Sequence, residues 1–307
     1  MAGKRNQRRA QLVLLLLCLV ALAVLLSGRW PGLEEWVYRL EHIFGGSTVL
    51  PEGVLEIHFI DVGQGDAVFI VTASQKILVD GGERGDTVLN YLRQKGVKKL
   101  DLVVGTHPHS DHLGGLVNVL QEIPVSEVMD PGVVHTSKLF EEYLAIIDEK
   151  GIRFTVARAG VARNYEDGLI LQVLHPEEPL LSSLNDTSIV LKVTFGQVSF
   201  LLTGDAEEAA EKELLDRGYN LRSTVLKVAH HGSATATSPS FIRAVRPEVA
   251  VIMVGENNSY GHPEAEVLEL LQSHGVEIYR TDRHGTIIVT TNGETVETVT
   301  QKEEKAS

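Results

Sequence analysis

Apolar positions along the chain fall into two regimes. The first is an unbroken run from Leu12 to Leu26, preceded by Lys4, Arg5, Arg8 and Arg9 and followed by Ser27, Gly28 and Arg29. Positive charge ahead of an apolar run is the pattern of an export signal or a signal anchor. The run is short of the roughly 20 residues that span a bilayer, and Gln11, Ser27 and Gly28 at the interfaces make it marginally sufficient. No small-x-small cleavage site follows, which favours retention over cleavage, and Cys18 lacks the small residues that precede a lipoprotein site. The clustered charge predicts a cytoplasmic N-terminus with the remainder outside. Residues 1–28 therefore read as one transmembrane anchor. Residues 29–50 read as a linker in which Leu33, Trp36, Val37, Leu40 and Phe44 suit an amphipathic helix lying on the membrane.

The second regime begins at Val54, where short apolar runs alternate with amphipathic segments and glycine-rich turns. Strands are predicted at Leu55–Asp61, Ala67–Thr72, Lys76–Asp80, Leu100–Gly105, Leu169–Leu174, Ser188–Phe195, Val198–Thr203, Thr224–Ala229 and Val249–Val254. Helices are predicted at Thr87–Lys95, Leu113–Glu122, Lys138–Lys150, Glu207–Arg217, Pro239–Val245 and Pro263–His274, several of them stopped by glycine. A last hairpin joins Thr286–Thr291 to Thr295–Thr300 across Asn292-Gly293, a strong two-residue turn signal. Each half runs strands then helices, which predicts two sheets face to face with helices outside, an αββα sandwich spanning 51–300, with a charged tail at 301–307.

Composition narrows the chemistry. The formal net charge is −13, which argues against a broad basic grip on nucleic acid, although bound divalent cations can supply positive charge locally. The single cysteine, Cys18, excludes an intrachain disulfide and leaves no thiolate for a metal site in the soluble part. Any such site must use histidine and carboxylate.

Those residue types concentrate in Thr106-His107-Pro108-His109-Ser110-Asp111-His112, directly after the predicted strand Leu100–Gly105. His107 and His109 are two apart and share a side in an extended loop, while Asp111 and His112 can turn to a second point. That spacing suits two neighbouring metal ions. Elsewhere, Gly63-Gln64-Gly65 serves equally as a tight turn or as an anion-facing backbone, Lys227 can offer charge near the site but reads first as a solvated lysine, and His58, His135, His274 and His284 read as structural or surface residues.

His-x-His-x-Asp-His after a strand resembles the hallmark of the metallo-β-lactamase superfamily. Asp61-Val62-Gly63-Gln64-Gly65-Asp66, His230-His231-Gly232-Ser233 and Tyr260-Gly261-His262-Pro263 are similar to the exported hydrolase domain of the ComEC-like competence proteins. The likeness runs from about Leu55 to Thr291 and does not include the many-helix membrane channel of those proteins. It implies the metallo-β-lactamase αββα fold, with His107, His109, Asp111, His112, Asp205 and His230 as metal ligands and Asp205 bridging both ions. Asp80 becomes the structural aspartate behind the metal loop. Between His230 and His231 the likeness favours the first.

The resemblance also marks a gap. Many members carry a further histidine about 20 residues before the bridging aspartate, where this chain has Asn185-Asp186-Thr187-Ser188. Asp186 or His175 is a candidate to fill it. Catalytic roles are expected of Asp111, Asn185 and His262, with metal binding or helix capping as alternatives for His262. The implied activity is metal-assisted hydrolysis with two divalent ions, Zn or Mn. The implied substrate is a phosphodiester, such as DNA in association with an uptake channel, or alternatively an exported phosphocholine-type ester. A non-catalytic metal-binding module of a membrane assembly is the remaining alternative.

Overall fold

The computed structural model describes residues 50–302, so the predicted anchor, almost all of the linker and the end of the charged tail lie outside the described residues. Among the described residues no helix is long and apolar enough to cross a membrane.

The first half lays down β1 (Leu55–Phe59), β2 (Val68–Val71) and β3 (Lys76–Val79) as an antiparallel meander. It continues through α1 (Thr87–Gln94), β4 (Leu102–Val104), α2 (Ser110–Glu122), β5 (Glu127–Asp130), α3 (Lys138–Glu149) and β6 (Arg153–Val156). Here the strands are parallel, because a helix carries the chain back after each one. The second half runs β7 (Ala162–Asn164), β8 (Leu169–His175), β9 (Val190–Phe195), β10 (Val198–Leu202), α4 (Glu208–Asp216), β11 (Val225–Lys227), α5 (Pro239–Val245), β12 (Val249–Ile252), α6 (Ala265–Ser273), β13 (Glu277–Arg280) and α7 (Thr281–His284). The closing hairpin is β14 (Ile287–Thr291) and β15 (Val296–Thr300).

Two sheets result, in the orders β15-β14-β1-β2-β3-β4-β5-β6 and β13-β12-β11-β10-β9-β8-β7. Alternation along each strand divides the apolar residues into layers. Ile57, Phe59, Ile70 and Val104 from one sheet meet Leu171, Val193, Phe200 and Val251 from the other in a central core. The opposite faces pack outward: Phe69, Leu78 and Val103 against Leu116, Leu120 and Tyr143, and Leu201, Leu226 and Ala250 against Ala210, Leu214 and Phe241. Both sheets are thus covered on both faces, which is why their strands read as near-continuous apolar runs. The αββα prediction holds.

Several elements depart from the prediction. The final hairpin completes the first sheet, where β14 pairs with β1, rather than extending its own half. β5, β6, β7 and β13 carry little apolar alternation and escaped prediction. The last three are half-exposed near sheet margins, and pairing rather than burial holds them. The helix predicted from Leu113 begins at Ser110, so Asp111 and His112 sit in its first turn rather than in an extended loop.

Candidate metal centre

The C-terminal ends of parallel β3, β4, β10 and β11, together with the β1–β2 turn, deliver the polar residues to one end of the sandwich. Two close backbone approaches fix the metal loop there. A Cβ on Gly65 would lie 2.2 Å from the Asp111 carbonyl oxygen, and one on Gly115 would lie 2.0 Å from that of Gly81. Gly65 also holds φ at +121°, a conformation that favours glycine. The amide of Asp66 then donates to the Asp111 carbonyl (3.1 Å) and that of Gly81 to the His112 carbonyl (2.7 Å). Of the two glycines in the Asp61–Asp66 turn, Gly65 therefore serves close packing against the metal loop, whereas a side chain at Gly63 would meet nothing.

Besides Asp66, Asp80 and His112, which the Asp80–His112 contact and the Asp66–Lys227 ion pair already engage, two groups of donor atoms converge. Asp111, His112, Asp205 and His231 each offer one ligand atom, all within 4.8 Å of one another; so do His107, His109 and Asp205. Asp205 Oδ2 lies 3.2 Å from His112 Nε2, 3.6 Å from His231 Nε2 and 3.8 Å from His107 Nε2. His231 Nε2 is 3.2 Å from Asp111 Oδ2, and His107 Nε2 is 3.0 Å from His109 Nδ1.

The surroundings orient these rings. Asp80 accepts at Oδ1 from the Thr106 amide and at Oδ2 from the Thr106 hydroxyl (2.8 and 2.7 Å), and Oδ2 also meets His112 Nδ1 at 2.8 Å. His231 Nδ1 donates to the Met253 carbonyl at 2.8 Å. Each contact fixes a tautomer and leaves Nε2 facing the donor group, as in carboxylate- and carbonyl-backed metal histidines. His112 Nε2, His231 Nε2 and Asp205 Oδ1 are buried without a hydrogen-bond partner. Buried polar atoms are normally satisfied, and the two imidazole nitrogens face Asp205 Oδ2 at 3.2 and 3.6 Å, so the donor set fits a divalent cation of the nitrogen- and oxygen-binding kind.

Charge reinforces that fit. Burial opposes the ionised forms of Asp111 and Asp205, yet the histidines facing them outweigh it and hold both carboxyls below their usual range. Burial and the neighbouring His112 lower His107, and burial lowers His109, so both favour the neutral, ligating imidazole.

Three sequence-derived assignments change. His230 belongs to neither donor group. Its Nε2 is 3.9 Å from Asp205, while its Nδ1 turns to Glu207 at 3.1 Å. β11 ends at Lys227, and His230 and His231 follow in a tight turn with φ of 47° and 55°, so strand alternation does not govern which one faces inward. Lys227 is buried, not solvated: it is 1% exposed, donates to the Gly204 carbonyl (2.8 Å) and is ion-paired with Asp66. Neither candidate fills the ligand gap. Asp186 Oδ1 accepts from the amides of Glu207 and Ala210, capping α4, and His175 Nδ1 donates to the Ser188 carbonyl. Lys227 thus does offer charge near the site, the less favoured of its two readings, and its partner Asp66 is the residue that sequence reasoning missed; the signal was a lysine inside an apolar strand next to a histidine pair.

Asn185, His262 and His230 line one cavity of about 260 Å³ with His109, Asp111, Asp205 and His231. Asn185 Oδ1 and His262 Nδ1 are buried without hydrogen-bond partners. His262 does not cap α6, whose N-cap is Glu264.

The fold and the donor set define a metallohydrolase-type centre, and residues 60–256 match the family described as the metallo-beta-lactamase superfamily; the chain belongs to that superfamily. Within it, the chain is similar to the ComE operon protein 3 of Bacillus subtilis, at 35% identity over 76% of this chain and 32% of that protein. It is also similar to the competence protein ComA of Neisseria gonorrhoeae, at 33% identity over 91% of this chain and 38% of that one. The chain spans about a third of the length of these curated relatives. A solved metallo hydrolase from Ignicoccus hospitalis shares the fold with TM-score 0.51 at 17% identity, over 76% of this chain and 98% of that one.

Proposed function

We propose that the chain is a metal-dependent phosphodiesterase acting on DNA outside the membrane, held there by its N-terminal apolar run. One observation carries the hydrolytic reading: Asp205 Oδ2 is common to both donor groups. Asp111, His112, Asp205 and His231 would hold one divalent ion and His107, His109 and Asp205 a second, and such ions would supply Lewis acidity and a water made nucleophilic near neutral pH.

The chain's own residues do the rest. Asp111 and Asp205 stay ionised, which keeps the centre anionic enough to hold cations. Asn185 presents its side-chain amide to the cavity, where it can hold a phosphoryl oxygen. Burial and the neighbouring His230 pull His262 below its usual range. A neutral imidazole there holds one proton within reach of a leaving oxygen. The similarity to competence proteins supports DNA as the substrate, with a DNA-uptake channel as partner.

The net charge of −13 favours a second reading, hydrolysis of a small exported ester of the phosphocholine type, because it disfavours wide contact with a polyanion. Full-length protein in detergent, loaded with Mn or Zn, separates them. Hydrolysis of single-stranded DNA that disappears in Asp111→Ala supports the first reading. Hydrolysis of p-nitrophenyl phosphocholine alone supports the second. Metal binding without turnover of either substrate, or of bis-p-nitrophenyl phosphate, overturns both. Membrane fractionation with and without residues 1–50, which removes the apolar run together with the amphipathic linker, checks the membrane attachment; a chain that stays membrane-bound without them refutes it.

A further inference from the structure

One exposed aromatic residue borders the donor cavity. Tyr260 is 68% exposed, yet it lines the same cavity as Asp111, Asp205 and His231. Among the described residues, the other exposed large apolar side chains, Val134, Leu144, Phe154 and Val156, do not line it.

The loop that carries Tyr260 is braced. Asn258 Oδ1 accepts from the amides of Tyr260 and His262, both at 3.1 Å, while its Nδ2 donates to the carbonyls of Gly255 (3.1 Å) and His262 (2.6 Å). One side chain thereby ties both ends of the segment 255–262. The Gly255 amide in turn donates to Gln64 Oε1 at 3.1 Å, anchoring the loop to the β1–β2 turn. The Tyr260 ring lies 5.8 Å from that of His262 at an interplanar angle of 22°, and His262 meets His230 edge-on at 5.5 Å. An aromatic wall therefore runs outward from the metal donors and ends in a free ring.

We infer that Tyr260, backed by His262, is a stacking platform for the nucleobase next to the scissile phosphodiester of a single-stranded nucleic acid, which rests on the phosphodiesterase reading above. Ring stacking is tolerant of base identity and does not need cationic side chains. In a chain of net charge −13 it replaces the affinity that a basic groove gives other nucleases. A single strand is required, because in a duplex each base face is already covered by its neighbours. A quaternary ammonium headgroup is the poorer fit: cages for such cations close several rings around the charge, whereas these two rings are nearly parallel and offer one flat face.

The test uses metal-loaded full-length protein, oligothymidylate, and an oligonucleotide of the same length built from stable abasic residues. Tyr260→Ala is expected to raise KM for oligothymidylate about tenfold with kcat nearly unchanged. Tyr260→Phe is expected to keep the original KM, and the abasic substrate to show the same KM with wild type and Tyr260→Ala. Binding without turnover is read separately, as quenching of the new indole by oligothymidylate in Tyr260→Trp combined with Asp111→Ala. Quenching without any hydrolysis by the Tyr260→Trp single variant or the wild type leaves the platform standing while the phosphodiesterase reading falls. Hydrolysis of oligothymidylate with a KM that Tyr260→Ala does not change overturns the platform. So does an equal rise in KM on the abasic strand, or a loss confined to p-nitrophenyl phosphocholine.

Discussion

The two donor groups share a carboxylate but are built to different standards. The group of Asp111, His112, Asp205 and His231 has four donors, and both of its histidines are buried and backed by fixed acceptors, Asp80 and the Met253 carbonyl. The group of His107, His109 and Asp205 has three. His107 Nδ1 meets only hydroxyls, those of Thr106 at 3.1 Å and Ser188 at 3.3 Å, and His109 is half-exposed. Outer partners fix ring orientation and raise ligand basicity. The first group is therefore the firmer cation site and the second the more labile, and occupancy of the pair is expected to be sequential.

The largest break in this comparison comes from the atom that the groups share. Asp205→Ala removes a donor from both, so it is expected to abolish bound metal at both positions and to lower phosphodiesterase activity on the order of 10³-fold. Asp205 is also one of the anions balancing the buried Lys227, 3.9 Å away, so a thermal melt of the metal-free variant must accompany the assay. Two cations retained per chain after this substitution would mean that the groups are independent.

The next effect separates the histidine pair and carries a pH signature. His231→Ala is expected to lose one cation, with affinity falling by more than the 10–100-fold typical of a lost outer partner. His230→Ala is expected to change affinity little. In the metal-free protein burial works against the His231 imidazolium, but the Asp205 charge and the Asp111 carboxylate, 3.2 Å from Nε2, prevail and raise its pKa to about 9. A folded-state value above the unfolded 6.5 means that the proton stabilises the fold fully below pH 6.5, and that this contribution is lost as pH rises to about 9. Cation binding must displace that proton, so its sign is opposite and affinity climbs over the same interval. Melting temperatures of EDTA-treated protein should fall between pH 6.5 and 9, less steeply in His231→Ala, while titrated metal affinity rises. A metal affinity that is flat across this window would remove His231 from the ligand set.

Which parts of this were legible in the chain follows from how local each cause is. Layer order and the motif from His107 to His112 are written in contiguous residues, since two-fold alternation and a strand end need no distant partner. The choice between His230 and His231 depends on two successive left-handed φ values, which a polar turn does not announce. Lys227 reads as solvent-facing until Asp66, far along the chain, closes over it. Asp186 looks like a spare ligand, but the amides of Glu207 and Ala210 that claim it come only after two further strands. β6, β7 and β13 are invisible to periodicity because their pairing is backbone to backbone at half-exposed positions, where nothing selects apolar residues.

The smallest expected effect would narrow the difference between the two groups. Asn185 lines the cavity beside His109 and Asp205, and its Oδ1 is buried without a partner. An imidazole at that position, facing the same cavity, would offer the weaker group a fourth donor. Asn185→His is expected to tighten the second cation about tenfold while leaving the first unchanged, read by calorimetric titration with Mn or Zn. If the amide also holds a phosphoryl oxygen, the same variant should lower kcat even as it binds metal better, because a ligand nitrogen committed to the cation has no proton left to donate toward substrate. Tighter metal with undiminished kcat would confine Asn185 to filling space. Unchanged metal affinity would show that its side chain points past the weaker group, and that the three donors there complete their coordination with solvent or substrate alone.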